Sequence, residues 1–189
     1  MILTSIPMEE LIESITTCNV HGKTIPIITH TLNKNFVHSV TADEVCNALK
    51  KYSDRDLECV DSVVLAQPGE TEIHERAHGE YDYLNNQIII YALKSSKNKE
   101  KPTFKIKCKV NNKKTTIDVS SDDVRDRVLN NVIPHEVCHA KSKCKLGKKF
   151  VPSDEEEEYA RKCASEFRRK YSIAERPIYA GGFCAVVKE

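Results

Sequence analysis

The sequence predicts an α+β fold in which strands and a β-hairpin precede two consecutive helices. Three observations predict it. Phe104, Ile106, Cys108 and Val110 alternate with Lys105, Lys107 and Lys109, the period of a half-buried strand. Val124, Val128, Leu129, Val132, Ile133, Val137 and Ala140 keep helical spacing, and so do Ala160, Cys163, Ala164, Phe167 and Tyr171.

A chain of 189 residues fits one domain or one domain with a modest appendage. At that length folding buries roughly 70% of the unfolded surface, so no staple is required. Hydrophobic residues at 40% and charged residues at 30% are globular values that exclude a largely disordered chain. A net charge of +1 gives no electrostatic basis for general nucleic-acid binding. No apolar run approaches the ~20 residues of a membrane span. The start, MILTSIPMEELIES, lacks a basic segment and is not expected to be a signal peptide. None of the eight cysteines forms a C-x-x-C pair, which removes zinc ribbons and thioredoxin motifs. The expectation is a reduced, cytoplasmic protein whose thiols act as small buried hydrophobes.

Along the chain, Met8 to Ile15 reads as a short helix with Leu11, Ile12 and Ile15 on one side. Thr41 and Glu44 form a capping box ahead of Val45, Cys46, Ala48, Leu49 and Tyr52. Leu57 to Ala66 is a strand, Gln67 to Glu70 a turn, and Gln87 to Ala92 a second strand. Lys94 to Lys101 is a solvated loop. The alternating run to Val110, a turn at Asn111 to Lys114 and a return strand over Thr115 to Val119 make the hairpin. Ser120 to Asp123 caps the next helix, in which Pro134 predicts a kink or break. Lys141 to Lys149 is a basic connection, and Pro152-Ser153-Asp154 opens the last helix on an acidic turn suited to its positive end. Arg176 to Glu189 is an irregular tail.

The chemistry is carried by His135-Glu136-Val137-Cys138-His139, an H-E-x-x-H. On a helix, positions i and i+4 share a face about 6 Å apart along the axis, so two imidazoles converge on one metal ion. The glutamate beside them can reach water at that ion and act as general base. A second match, His74-Glu75-Arg76-Ala77-His78, follows a Pro-Gly turn, runs into Gly79, and would hold Arg76 near a dication. It reads as an exposed polar loop near the cleft. His135 and His139 are therefore the expected metal ligands and Glu136 the expected catalytic base.

A hydrolytic zinc takes three protein ligands and keeps one position open. No histidine follows His139, so the third ligand is a carboxylate or an upstream residue. Within Asp154 to Glu158, Glu157 stands three and seven residues before Ala160 and Ala164, a small-residue side where two helices can meet. Glu157 is favoured, Glu158 next and Glu156 third.

The motif followed by a helix carrying Glu157-x-x-Ala160 and Ala164 resembles the gluzincin-type zinc peptidases, in particular the minigluzincins and the ImmA/IrrE-like peptidases. The resemblance spans Gln87 to about Tyr171. It implies a zincin-like arrangement, a small mixed sheet with an edge strand and hairpin on the H-E-x-x-H helix and a glutamate helix. It makes Gln87 to Ala92 resemble the edge strand to which a peptide adds. One zincin-like metallopeptidase domain would cover residues 1–189, with N-terminal helices and the first strand over residues 1–80, a catalytic core over 81–175 and a tail over 176–189. The implied activity is hydrolysis of a peptide or protein substrate with Zn2+ as cofactor, in the cytoplasm and away from membranes. Tyr171 and Tyr179 are candidate oxyanion donors. Two rival readings remain. One is a non-catalytic or self-inhibited zinc-binding regulatory protein, its coordination closed by Cys144, Cys184 or the tail. The other is a basic interaction module built on Lys94 to Lys114 and Lys141 to Lys149.

Overall fold

The computed structural model describes residues 12–69, 78–94, 103–110, 113–171 and 173. Its class is mixed α+β. Five strands form one sheet in the order β1 (Ile12–Val20), β2 (Lys23–His30), β4 (Ser62–Ala66), β6 (Gln87–Tyr91), β5 (Gly79–Asp82). The outer pairs are antiparallel, while β2, β4 and β6 run parallel to one another. Short strands β3 (Phe36–Val37) and β7 (Leu93–Lys94) pair separately, and β8 (Thr103–Val110) with β9 (Lys113–Ser120) forms the expected hairpin.

The β1–β2 hairpin corrects the sequence reading at the N-terminal end. Ile12 to Ile15 belongs to a strand, not a helix, and Met8 to Leu11 lies outside the described residues. The cause is the run Ile15-Thr16-Thr17 to Val20, rich in β-branched residues, facing Thr24 to Thr29 across a two-residue turn. That turn is His21-Gly22 with φ of 49° and 91°, both in the left-handed region that a tight hairpin turn requires.

β4 begins at Ser62, later than expected. It is buried along its whole length, as suits a central strand with neighbours on both edges. Leu57 and Val60 are buried too, but in the turns before it. β6 likewise lies inside the sheet, between β4 and β5. The expected edge strand at Gln87 to Ala92 is therefore an inner one, and the edge is β5. The reversal comes from an Asx turn at Asp82, whose carboxylate accepts Leu84 N–H at 2.9 Å, with Asn86 at φ 52°.

Helix α1 (Ala42–Leu49) has the full capping box: Thr41 Oγ1 accepts Glu44 N–H, and the Glu44 carboxylate accepts Thr41 N–H. Helix α2 (Ser121–Arg127), capped by Ser120, passes through a π turn at Val128–Val132 into α3 (Ile133–Leu146). Ile133 N–H donates to Val128 O, one residue further back than in an α-helix. This wide turn stands immediately before Pro134, whose ring lacks an N–H and would collide with an α-helical carbonyl. The proline is thus absorbed without a break. α3 continues to Leu146, so most of the basic stretch expected as a connection is helical. Lysine is a good helix former, and the helix stops only at Gly147, φ 56°. α4 (Asp154–Lys170) starts at Ser153, whose Oγ accepts Glu156 N–H at 3.2 Å.

The core lies between the helices and one sheet face. Alternate strand residues Ile25, Ile27, Val63, Leu65, Ile88 and Ile90 meet Val45 and Leu49 of α1 and Val137 of α3. Ala140, Ala160 and Ala164 are buried in the same cluster with the α4 stripe residues Cys163 and Phe167. Six cysteines stand in three neighbouring pairs, Cys18 with Cys46, Cys59 with Cys144 and Cys138 with Cys163, their Cα atoms 5.4, 5.6 and 5.9 Å apart. Among the described residues no helix is long and apolar enough to cross a membrane.

Candidate metal centre

His135 and His139 project one turn apart from α3, as helical spacing demands, and their Nε2 atoms stand 3.0 Å apart. The first turn of α4 crosses them and sets the Glu157 carboxylate against both, 3.4 Å from His135 Nε2 and 3.4 Å from His139 Nε2. These three residues form a cluster that could hold a metal ion. The donor set passes a geometric test. Ligand atoms about 2.0–2.1 Å from a tetrahedral ion stand roughly 3.3–3.4 Å from one another, near the 3.0 Å and 3.4 Å found here.

Burial lowers the pKa of His135, and the neighbouring His139 adds to the effect while Glu157 opposes it. Burial also lowers His139, again against Glu157. Both shifts favour neutral imidazole, the form with a lone pair to give.

Glu156 and Glu158 correct the sequence ranking. Glu158, ranked second, points to water and pairs with Lys162 at 2.6 Å. Glu156, ranked third, is buried, and its Oε2 lies 2.6 Å from His139 Nδ1. An ionised Glu156 only accepts, which places the ring proton on Nδ1 and frees Nε2 on the cluster side. The sequence held a signal for this. Glu156 extends the buried stripe Ala160, Cys163, Phe167 backward by one turn, so burial could have been read from spacing. Arg161, one turn after Glu157, binds its Oε1 at 3.1 Å.

Glu136 is buried beside the cluster. Burial, followed by the charges of Glu157, Glu80 and Glu156, raises its pKa well above the ordinary carboxylate value. It lines a cleft of about 790 Å³ together with all three cluster residues. The edge strand β5 forms one wall through Gly79, Glu80 and Tyr81.

Of the second H-E-x-x-H, His74 lies outside the described residues. His78 is half-buried on the cleft wall, in a bend before β5 and not on a helix. Burial, reinforced by the Arg127 charge, lowers its pKa to about 4. Tyr171 does not serve the cleft; its hydroxyl donates to Asp56 at 2.5 Å. Tyr179 and Cys184 are outside the described residues, and Cys144 is not among the residues that line the cleft. Comparison with family models, with curated proteins and with solved structures found no match, so the functional reading rests on this geometry.

Proposed function

We propose that the chain is a zinc-dependent metallopeptidase in which His135, His139 and Glu157 hold the ion and Glu136 is the general base. The observation that carries the reading is the meeting of two Nε2 atoms and one carboxylate within hydrogen-bond range of each other, next to a buried glutamate, on the floor of an open cleft. An H-E-x-x-H alone is two ligands and a base. The third ligand comes from a helix that the fold lays across it.

Zinc bound by this set would supply Lewis acidity, polarising a scissile carbonyl and making water at the site more acidic. The chain's own residues do the rest. Glu136 takes a proton from the attacking water and returns it to the leaving amine, a role worth roughly 10²–10⁴-fold in rate. Burial and the neighbouring carboxylates raise its pKa, which makes it a stronger proton acceptor than an exposed glutamate. Glu156 orients His139 through Nδ1. Among the described residues no strand pairs with the outer side of β5, to which an extended peptide can add.

The test is metal analysis with a peptide-cleavage assay on the same preparation. Parent protein should carry one zinc per chain and cleave. His135→Ala and Glu157→Ala should each lose the metal and the activity together. Stoichiometric zinc in either variant, or a zinc-loaded parent that cleaves no member of a broad peptide library, would overturn the reading.

A further inference from the structure

Three cysteine pairs are held at the range a disulfide spans. The Cα separations of 5.4, 5.6 and 5.9 Å for Cys18 with Cys46, Cys59 with Cys144 and Cys138 with Cys163 all fall inside the window of roughly 4.4–6.8 Å that one S–S bond bridges. The partners lie 28, 85 and 25 residues apart in sequence, on separate parts of the fold. Thiols that serve only as small hydrophobes have no reason to find one another across the chain, least of all three times. Nor do these gather around a metal. Among the described residues the one group of three or more ligating side chains is His135, His139 and Glu157, and it holds no cysteine. Two thiolates without further donors leave a zinc site half made.

The third pair stands at the metal centre. Cys138 is the residue before His139 on α3, and Cys163 lies two turns after Glu156 on the buried stripe of α4. Ala140, Ala160 and Ala164, in the same core cluster, are small enough to let the two helices approach closely. We propose that Cys138 and Cys163 form a disulfide that fixes the rotation of α4 against α3 and presets Glu157 toward the two imidazoles, a role that rests on the metal reading of the site. The contact between His139 Nδ1 and Glu156, at 2.6 Å, holds the helices together at one point. A covalent bond two turns further along α4 holds them at a second, so α4 cannot turn about its axis. Glu157, the residue after Glu156, then keeps facing the paired Nε2 atoms. Closing the bond takes two electrons and two protons from the thiols. With glutathione disulfide as the oxidant, its S–S bond breaks, the Cys138–Cys163 bond forms, and two molecules of glutathione leave as thiols. Cys138 is fully buried and Cys163 is 6% exposed. The bond therefore closes while the helices pack, and afterwards no thiolate in solution reaches it.

The experiment refolds the reduced full chain in a buffer of glutathione disulfide and glutathione, traps free thiols with iodoacetamide, and maps the cysteines by mass spectrometry of an unreduced tryptic digest. Cleavage after lysine and arginine leaves Cys138 as the single cysteine of residues 128–141 and Cys163 as the single cysteine of residues 163–168. These two peptides should run as one species that separates on reduction. Folded protein in which both cysteines are alkylated, or in which either is joined to another partner, overturns the proposal without reference to any metal. The second arm measures zinc affinity with a chromogenic chelator for the parent and for the double variant Cys138→Ala, Cys163→Ala. The variant should bind about tenfold more weakly, the cost of ordering Glu157 on a helix no longer fixed. Should that variant not fold, the parent kept reduced by a phosphine takes its place. Equal affinity in a folded comparison overturns the presetting role. A parent that carries the cross-link but takes up no zinc upholds the disulfide and overturns the metal reading, with the presetting role that depends on it.

Discussion

Gly79 of the edge strand and Val132 of the π turn touch so closely that no methyl group fits between them. A Cβ on Gly79 would fall 2.6 Å from Val132 Cγ1 and 2.9 Å from Ile89 O, with Glu136 Cγ 3.8 Å away. The glycine is required here by close approach. It lets β5 lie against the helix that carries the H-E-x-x-H. Gly79→Ala must push strand and helix apart or force the Val132 side chain and the strand backbone aside. The expected cost is about 1–3 kcal/mol, read as a lower midpoint in thermal or urea unfolding. Zinc affinity should change little, because His135, His139 and Glu157 are all carried by helices. A variant as stable as the parent would show that β5 is free to move.

Glu156 is expected to matter to the metal without being a ligand. Glu156→Gln or Glu156→Ala should weaken zinc binding by about 10–100-fold, the usual effect of losing the partner that orients a ligating histidine. Glu158→Gln, whose exposed carboxylate pairs with Lys162, should leave zinc affinity unchanged. Competition with a chromogenic chelator measures both. Equal loss in the two variants would mean that the acidic turn acts only through its summed charge.

Glu136→Gln keeps the shape of the side chain and removes the proton acceptor. Zinc content should match the parent while cleavage falls by at least about 10²-fold. Unchanged cleavage would remove Glu136 from the reaction.

Acid stability should depend on Asp56. This buried carboxylate accepts from Ser53 at 2.7 Å, Tyr171 at 2.5 Å and Lys141 at 2.9 Å, with Lys170 at 3.4 Å. It thereby joins the turn after α1 to α3 and to the end of α4. Burial alone would raise its pKa, but the hydrogen bonds from Tyr171, Ser53 and Lys141, with the Lys141 charge, outweigh it and hold the group well below its ordinary 3.8. A depressed folded-state pKa means that the unfolded chain binds the proton first. The stabilisation is therefore complete above about pH 4 and is lost as the pH falls further, toward the folded value. Asp56→Asn should destabilise the protein by roughly 1–3 kcal/mol at pH 7 and flatten its stability profile below pH 4. Parallel profiles for variant and parent, measured by urea unfolding across pH, would exclude this role.

Much of the local structure was legible because its causes are local. The Thr41 capping box, the Ser120 and Ser153 caps and the alternating hairpin strands each depend on neighbours a few residues away. The β1–β2 hairpin was legible in principle, in β-branched runs on either side of His21-Gly22, but the apolar residues before it fit a helical period equally well. Edge and centre were not legible. β5 and β6 are short strands, and nothing in either reveals that β6 slides in beside β4 while β5 takes the rim.

By itself the sequence determined that a helix presents His135 and His139 on one face with Glu136 beside them, since 3.6 residues per turn leave no other outcome once the helix forms. It also determined that a strongly acidic helix start would follow. Only the tertiary structure decided which acid does what. The crossing of α4 over α3 turns Glu157 to the paired Nε2 atoms, Glu156 to the Nδ1 behind them and Glu158 to water. Adjacent helical residues point 100° apart, so a small rotation of one helix against the other reassigns all three roles. That rotation is set by the packing of Ala160, Cys163 and Phe167 in the core and not by the acidic residues themselves.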